Sequence, residues 1–182
     1  SMTLQTRWNT TWQLKPEQIP PALQTALILA EDKRFYEHNG MDWRARASAL
    51  WILLKNGQAY RGASTIPEQV VRLLHPRPRN LWSRWLEGWE ARALVQQFSR
   101  AEILQFYLNQ IPYGAQRRGL WPAARYYFGR DLDTLSVPEM LALAVLPRAP
   151  GRLAQAQYNP QLVARVQFLA QRICDLPNKP EL

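Results

Sequence analysis

Three times in this chain a hydroxyl residue is followed, three positions on, by a glutamate: Thr65-Ile66-Pro67-Glu68, Ser99-Arg100-Ala101-Glu102 and Ser136-Val137-Pro138-Glu139. This is capping-box spacing, in which the hydroxyl accepts the third helical N–H and the glutamate reaches back to the cap's own N–H. Proline in the first turn is tolerated there because that N–H has no helical partner anyway. The boxes predict a short helix through Leu74, one from Ile103 to Asn109 and an apolar one from Met140 to Leu146. No hairpin dipeptide flanked by alternating apolar residues occurs, so the chain reads as mainly α.

Other helices follow from the same punctuation. Pro20-Pro21 opens a first helix with Leu23, Leu27 and Ala30 on one face, and Asn39-Gly40 is placed to close it. Asp42 caps a second, Trp43 to about Leu54, ended by Asn56-Gly57. The proline-rich, basic run His75 to Asn80 is a surface loop. A long helix then covers Leu81 to Phe98, with Trp82, Trp85, Leu86, Trp89 and Ala93 expected as its buried stripe. At 182 residues the chain suits one domain with a sizeable core. The single Cys174 rules out an internal disulfide framework and a multi-cysteine zinc site, and is expected to be a small core residue. No run is apolar enough to span a membrane, and Met2 opens no export signal. Ser1-Met2 has the look of an expression remnant, which leaves room for a natural anchor upstream.

Charge narrows the partners. Lys and Arg number 23 against 14 Asp and Glu, a net +9, and 19 of the cations are Arg. Between Arg44 and Leu86 eight cations (Arg44, Arg46, Lys55, Arg61, Arg72, Arg77, Arg79 and Arg84) face one acid, Glu68. An anionic partner is expected there, and arginine favours planar, multi-donor recognition of phosphate or carboxylate. Nucleotide-binding glycine fingerprints, His-Glu-x-x-His and Cys/His metal spacings are absent. His38 and His75 read as core or surface histidines.

Two acidic positions stand out. Glu31-Asp32 falls late in the first helix, where the macrodipole disfavours acids; either Glu31 pairs with Arg34 on a solvated face or function retains it. Glu87, three residues before Glu90, is on the wheel either a solvated partner of Arg84 or a residue facing a cleft. Gly62-Ala63-Ser64-Thr65 before a helix serves as turn and cap, or as an anion cradle made by loop and helix N–H groups.

Taken in order, these residues carry a resemblance. Glu31-Asp32-x-x-Phe35-x-x-His38-x-Gly40, Gly62-Ala63-Ser64-Thr65-Ile66-x-x-Gln69, Arg84-x-x-Glu87 and Ile103-Leu104-x-x-Tyr107-Leu108-Asn109 with Gly114 are similar to the successive motifs of the peptidoglycan glycosyltransferase domain, glycosyltransferase family 51. Arg118-Gly119-Leu120, Tyr127-Phe128-Gly129-Arg130, Leu135-Ser136-x-x-Glu139 and Leu146-Pro147-x-Ala149-Pro150 continue the match, which runs from about Pro16 to Asn159. The resemblance implies a lysozyme-like, two-lobed helical fold with a smaller membrane-touching lobe, forming one domain over 1–182. It also implies polymerisation of lipid II into β-1,4 glycan with inversion and loss of undecaprenyl pyrophosphate.

By motif position Glu31 would be the general base on the acceptor C4 hydroxyl, and Glu87 would assist the leaving pyrophosphate directly, through water or through a cation. A base needs its pKa lifted by burial, and Glu31 follows an apolar helix; a pyrophosphate needs neutralising charge, which the basic segment supplies. Asp32, Ser64, Thr65, Gln69, Arg72, Arg84 and Asn109 carry over as substrate-binding positions, with Phe35 and His38 more structural than reactive. Asn109 reads equally as a helix C-terminal Asn. Two places depart from the family. Its usual Arg, eight residues after Gly40, is Ser48; either Arg46 takes over the phosphate contact or the site binds substrate weakly. Its polar pair before Gln69 is Pro67-Glu68, which brings a negative charge to the proposed pyrophosphate site.

No cofactor is required on this reading, apart from a possible Mg or Mn ion accompanying the pyrophosphate. Partners would be lipid II, the growing glycan strand and a membrane surface met by Trp43 to Leu54 between flanking cations, with other cell-wall synthesis proteins possible and no nucleic acid. The expected location is the periplasmic face of a bacterial inner membrane. No Ser-x-x-Lys or Lys-Thr-Gly occurs, so no transpeptidase domain is expected. The competing readings are a lipid II or glycan binder without turnover, a lysozyme-like hydrolase and a basic nucleic-acid binder.

Overall fold

Local cap chemistry sets most helix boundaries in the computed structural model, which describes residues 13–57, 63–114, 117–148 and 160–177. Among the described residues eight α-helices follow in order: α1 (Pro21–Glu31), α2 (Trp43–Asn56), α3 (Ile66–Leu74), α4 (Leu81–Gln97), α5 (Arg100–Gln110), α6 (Leu120–Phe128), α7 (Val137–Val145) and α8 (Pro160–Cys174). Among the described residues the only β-type pairing is an isolated bridge, Pro112 to Arg118. The mainly α, lysozyme-like class therefore holds.

The capping boxes close to different degrees. At α5 the box is complete: Ser99 N donates to Glu102 at 2.8 Å and Glu102 N to the Ser99 hydroxyl at 3.2 Å. At α7 Ser136 N donates to Glu139 at 3.3 Å. At α3 it is half closed, because Thr65 accepts from Glu68 N at 3.2 Å while the Glu68 carboxylate turns away to Arg46. Asp42 accepts from Ala45 N at 3.0 Å to start α2, and Gly57 ends it at φ 65°.

Chain contacts divide the protein into two compact units, one of Ser1–Ala30 with Gln105–Leu182 and one of Glu31–Leu104. In the first, α7 packs on α6 and α8 around Leu120, Leu143, Leu169 and Ile173. Tyr113 donates its hydroxyl to Leu143 O at 2.8 Å inside this unit. In the second, α3 lies along α4, and Phe35, Ile66, Val70, Val71 and Ala91 are buried. Burying a side chain such as Phe35 contributes about 1.5–3 kcal/mol.

Three expectations are overturned. The first helix stops at Glu31 rather than at Asn39-Gly40, because residues 32–40 fold into turns around the buried Asp32 side chain, with Phe35 N bonded to Asp32 O and Glu37 N to Arg34 O. The α4 tryptophans are not a core stripe: Trp82, Trp85 and Trp89 are 68%, 45% and 46% exposed, Leu86 is half-buried and Ala93 exposed. The buried face of α4 is Ser83, Glu87, Gly88 and Ala91. Cys174 is exposed, not core; the neighbouring Ile173 fills that place.

Candidate active site

The 31–104 unit gathers the charged candidates around α3. Glu31 ends α1 buried, and Gln69 on α3 donates to it at 3.1 Å. Asp32 is buried beside it and accepts from Ile66 N at 3.0 Å, so it holds the first turn of α3. His38 Nε2 lies 2.7 Å from the same carboxylate, while His38 Nδ1 accepts from Gly40 N at 3.1 Å. An Nδ1 that accepts from Gly40 N leaves Nε2–H as the donor to Asp32. Arg34, expected as a neighbour of Glu31, instead binds Asp42 through two parallel bonds of 2.8 and 3.0 Å.

Gly40 explains how the turn segment reaches α4. Its φ is +96°, and a Cβ there would stand 2.6 Å from the Ala91 backbone. The Thr65 hydroxyl donates to Gly40 O at 2.6 Å and also caps α3, so its one proton is engaged within the fold. Ser64, at the half-buried mouth of the α3 N-terminus, accepts from Arg72 at 3.3 Å. Gly62, the first residue of that motif, lies outside the described residues, as do Arg61 and Ala149-Pro150.

Glu87 is buried and belongs to Arg72, not Arg84: Arg72 donates to its two oxygens at 2.8 to 3.3 Å from one side of the guanidinium. Arg84 is exposed and has no ion-pair partner among the described residues. Glu90 pairs with Arg77 and His75 at the surface. Arg46 crosses from α2 to Glu68 on α3 at 2.9 Å, over Gly88 of α4. Burial pushes the Glu68 carboxyl above the usual range; Arg46 and then Arg72 pull it back, and the charge on Glu87 adds to the rise.

The cations in the heart of the basic segment are thus half of two Arg–Glu pairs rather than free charge. Asn109 lies in the other unit, where its side chain clasps Leu14 through both backbone atoms at 2.8 and 2.9 Å and also donates to Gln105 O. An open cleft of about 320 Å³ in the 31–104 unit is lined by Arg34, His38, Trp43, Arg44 and Arg92 among others; neither Glu31 nor Glu87 borders it.

The motifs mark neither Gly88 nor the Asp32–Ile66 link. A glycine inside a helix, costing about 1 kcal/mol against alanine, was the available signal for a close approach. The Asp32 link joins residues 34 positions apart through a backbone N–H, which no local pattern encodes.

A sequence model of the family described as Transglycosylase matches residues 2–174. Penicillin-binding protein 1A of Escherichia coli K12 is 38% identical over 160 residues, covering 87% of this chain and 19% of that protein. Penicillin-binding protein 1C of the same strain is 39% identical over 137 residues, 75% of this chain and 18% of its own length. Penicillin-binding protein 2D of Bacillus subtilis 168 is 37% identical over 132 residues, 72% and 19%. The chain spans about a fifth of the length of these curated relatives.

Proposed function

Because the chain belongs to the transglycosylase family, we propose that it is a peptidoglycan glycosyltransferase that polymerises lipid II into β-1,4 glycan with inversion, releasing undecaprenyl pyrophosphate. The observation that carries this reading is the pair of buried carboxylates at matching motif positions, Glu31 held by Gln69 and Glu87 held by Arg72, within one unit.

In the reaction, Glu31 takes the proton of the acceptor C4 hydroxyl as O4 bonds to the donor C1. The C1–O bond to pyrophosphate breaks, and its electron pair leaves on the pyrophosphate. Arginine donors then stabilise the developing charge. Glu87 acts through a cation, since its hydrogen bonds run to Arg72. Mg or Mn, where it takes part, travels with the pyrophosphate: Glu68 and Glu87 are each held by an arginine, and among the described residues no three His, Cys or acidic side chains converge.

The expected setting is the periplasmic face of a bacterial inner membrane, with the growing glycan strand as second substrate. Trp43, Leu50, Trp51, Leu53 and Leu54 on α2 and Leu81, Trp82, Trp85 and Trp89 on α4 are exposed, which suits an interfacial surface. Among the described residues no helix is long and apolar enough to cross a membrane.

Fluorescent lipid II in detergent tests the reading. The parent should form polymer, and Glu31→Gln should cut the rate by roughly 10²–10⁴-fold. Unchanged polymer from Glu31→Gln overturns the assignment of the base. Lipid II bound but never joined would mean a binder, and fragments released from preformed glycan a hydrolase.

A further inference from the structure

The Arg46–Glu68 pair occupies the place where this chain leaves the family pattern. Ser48 supplies nothing to the site: it is exposed, and its hydroxyl donates to Arg44 O in its own helix at 2.9 Å. Arg46 cannot replace a residue at 48 by simple substitution, because positions two apart on a helix point roughly 200° apart. It must reach the site by another route and be held there.

The structure supplies both. Gly88 leaves a passage across α4; a Cβ there would stand 2.9 Å from Arg46 Nη2 and 2.5 Å from Met41 Sδ. The Arg46 guanidinium carbon lies 5.7 Å from the centre of the Trp43 ring. Glu68 fixes the end of the side chain through a single N–H, from Nη2 at 2.9 Å. A guanidinium has five N–H donors, so one contact orients the group and leaves the others for a ligand. The Arg46 side chain keeps 23% of its exposure while that of Glu68 keeps 4%, which places the anchor inside and the cation at the opening. The same arrangement recurs beside it, where buried Glu87 holds Arg72.

We propose that Glu68 is a positioning residue that holds Arg46 across Gly88, so that the free Arg46 donors bind the pyrophosphate of the donor beside Arg72. The proposal rests on the glycosyl-transfer reading above. The acid that departs from the family pattern thus serves the arginine that compensates for Ser48. The charged groups facing Glu68 are Arg46 from α2, Arg72 from its own α3 and Glu87 from α4. The negative carboxylate is thereby turned toward cations on two of its sides.

The test measures equilibrium binding of undecaprenyl pyrophosphate in detergent to the whole chain, together with KM and kcat for lipid II. Glu68→Ala and Arg46→Ala should each weaken binding about 10-fold, and the double variant no further than Arg46→Ala alone. Glu68→Gln keeps an oxygen for Nη2 and should stay within about threefold of the parent, with the loss in the other variants falling on KM more than on kcat. Additive losses in the double variant would mean that Glu68 acts independently of Arg46 and would overturn the proposal. So would tighter binding by Glu68→Ala, which would make Glu68 only a repulsive charge. Should Glu68→Ala fail to fold, Glu68→Asp shortens the reach by one methylene; it should weaken binding in the parent and change nothing in the Arg46→Ala background. A parent that binds the pyrophosphate but makes no polymer defeats the glycosyl-transfer reading, while the binding arms still decide the Arg46–Glu68 relation.

Discussion

Glu68 and Asp42 each face an arginine, yet their acidities move in opposite directions. At Asp42 burial raises the pKa, but the Arg34 bond, the Ala45 N–H and the Arg34 charge together leave it below the usual range. At Glu68 burial prevails over one Arg46 contact. The sign for stability follows. Between the ordinary glutamate value of 4.5 and the raised native value, the native state binds more protons than the unfolded chain. Stability contributed at Glu68 is therefore lost as pH rises through that window. Glu68→Gln should flatten this slope and raise the urea midpoint at neutral pH; a lower midpoint with an unchanged slope would refute it. Gly88→Ala separates packing from function at the same spot. Alanine gains about 1 kcal/mol of helix propensity, and the atoms it would displace are the flexible ends of Met41 and Arg46. Melting temperature should change little while KM for lipid II rises several-fold, as Arg46 loses its passage.

At the scale of elements, what was legible is what local chemistry decides. Asp42, Thr65, Ser99 and Ser136 start α2, α3, α5 and α7 where the cap pattern placed them, because a cap bond spans only three residues. Asn80 ends the proline-rich run that the sequence assigns to a loop, yet it caps α4 by accepting from Ser83 N at 2.7 Å. Asn80→Ala should cost about 1 kcal/mol in denaturant unfolding, and no loss would mean that the α4 N-terminus is set by packing alone. The end of α1 was not legible, since its stop depends on Asp32 meeting Ile66 N far along the chain. Nor was the orientation of α4. Apolar periodicity finds the tryptophan face but not what covers it, and the covered face is the one with Ser83, Gly88 and Ala91, where small side chains allow close approach. That rotation buries Glu87 and gives it to Arg72, which the wheel alone left open. Motif order marked Glu31, Gln69, Arg72 and Glu87 as candidates, whereas their hydrogen-bond partners required the fold.

Across the whole molecule, the +9 charge takes on a different meaning once its pairs are known. Arg46, Arg72 and Arg77 each meet a carboxylate, which leaves Arg44, Lys55, Arg79 and Arg84 exposed without an ion pair among the described residues. Arg44 and Lys55 sit on α2 with exposed Trp43, Trp51 and Leu54, and Arg84 sits on α4 with exposed Trp82 and Trp85. Unpaired cations beside exposed tryptophans match an anionic bilayer surface, where the charge is attracted to headgroups and the rings enter the interface. Binding to vesicles containing phosphatidylglycerol should therefore exceed binding to neutral phosphatidylcholine vesicles, and the excess should fall as salt shortens the Debye length from about 10 Å at 0.1 M to about 3 Å at 1 M. Trp51→Ser and Trp85→Ser remove apolar area rather than charge. Each should weaken partitioning to both vesicle types by roughly 10- to 100-fold, the scale of about 1.5–3 kcal/mol for burying a large apolar side chain, and leave the salt dependence unchanged. Equal binding to both vesicle types at low salt would show that these cations do not face lipid, and unchanged partitioning of both tryptophan variants would show the same for the two helix faces.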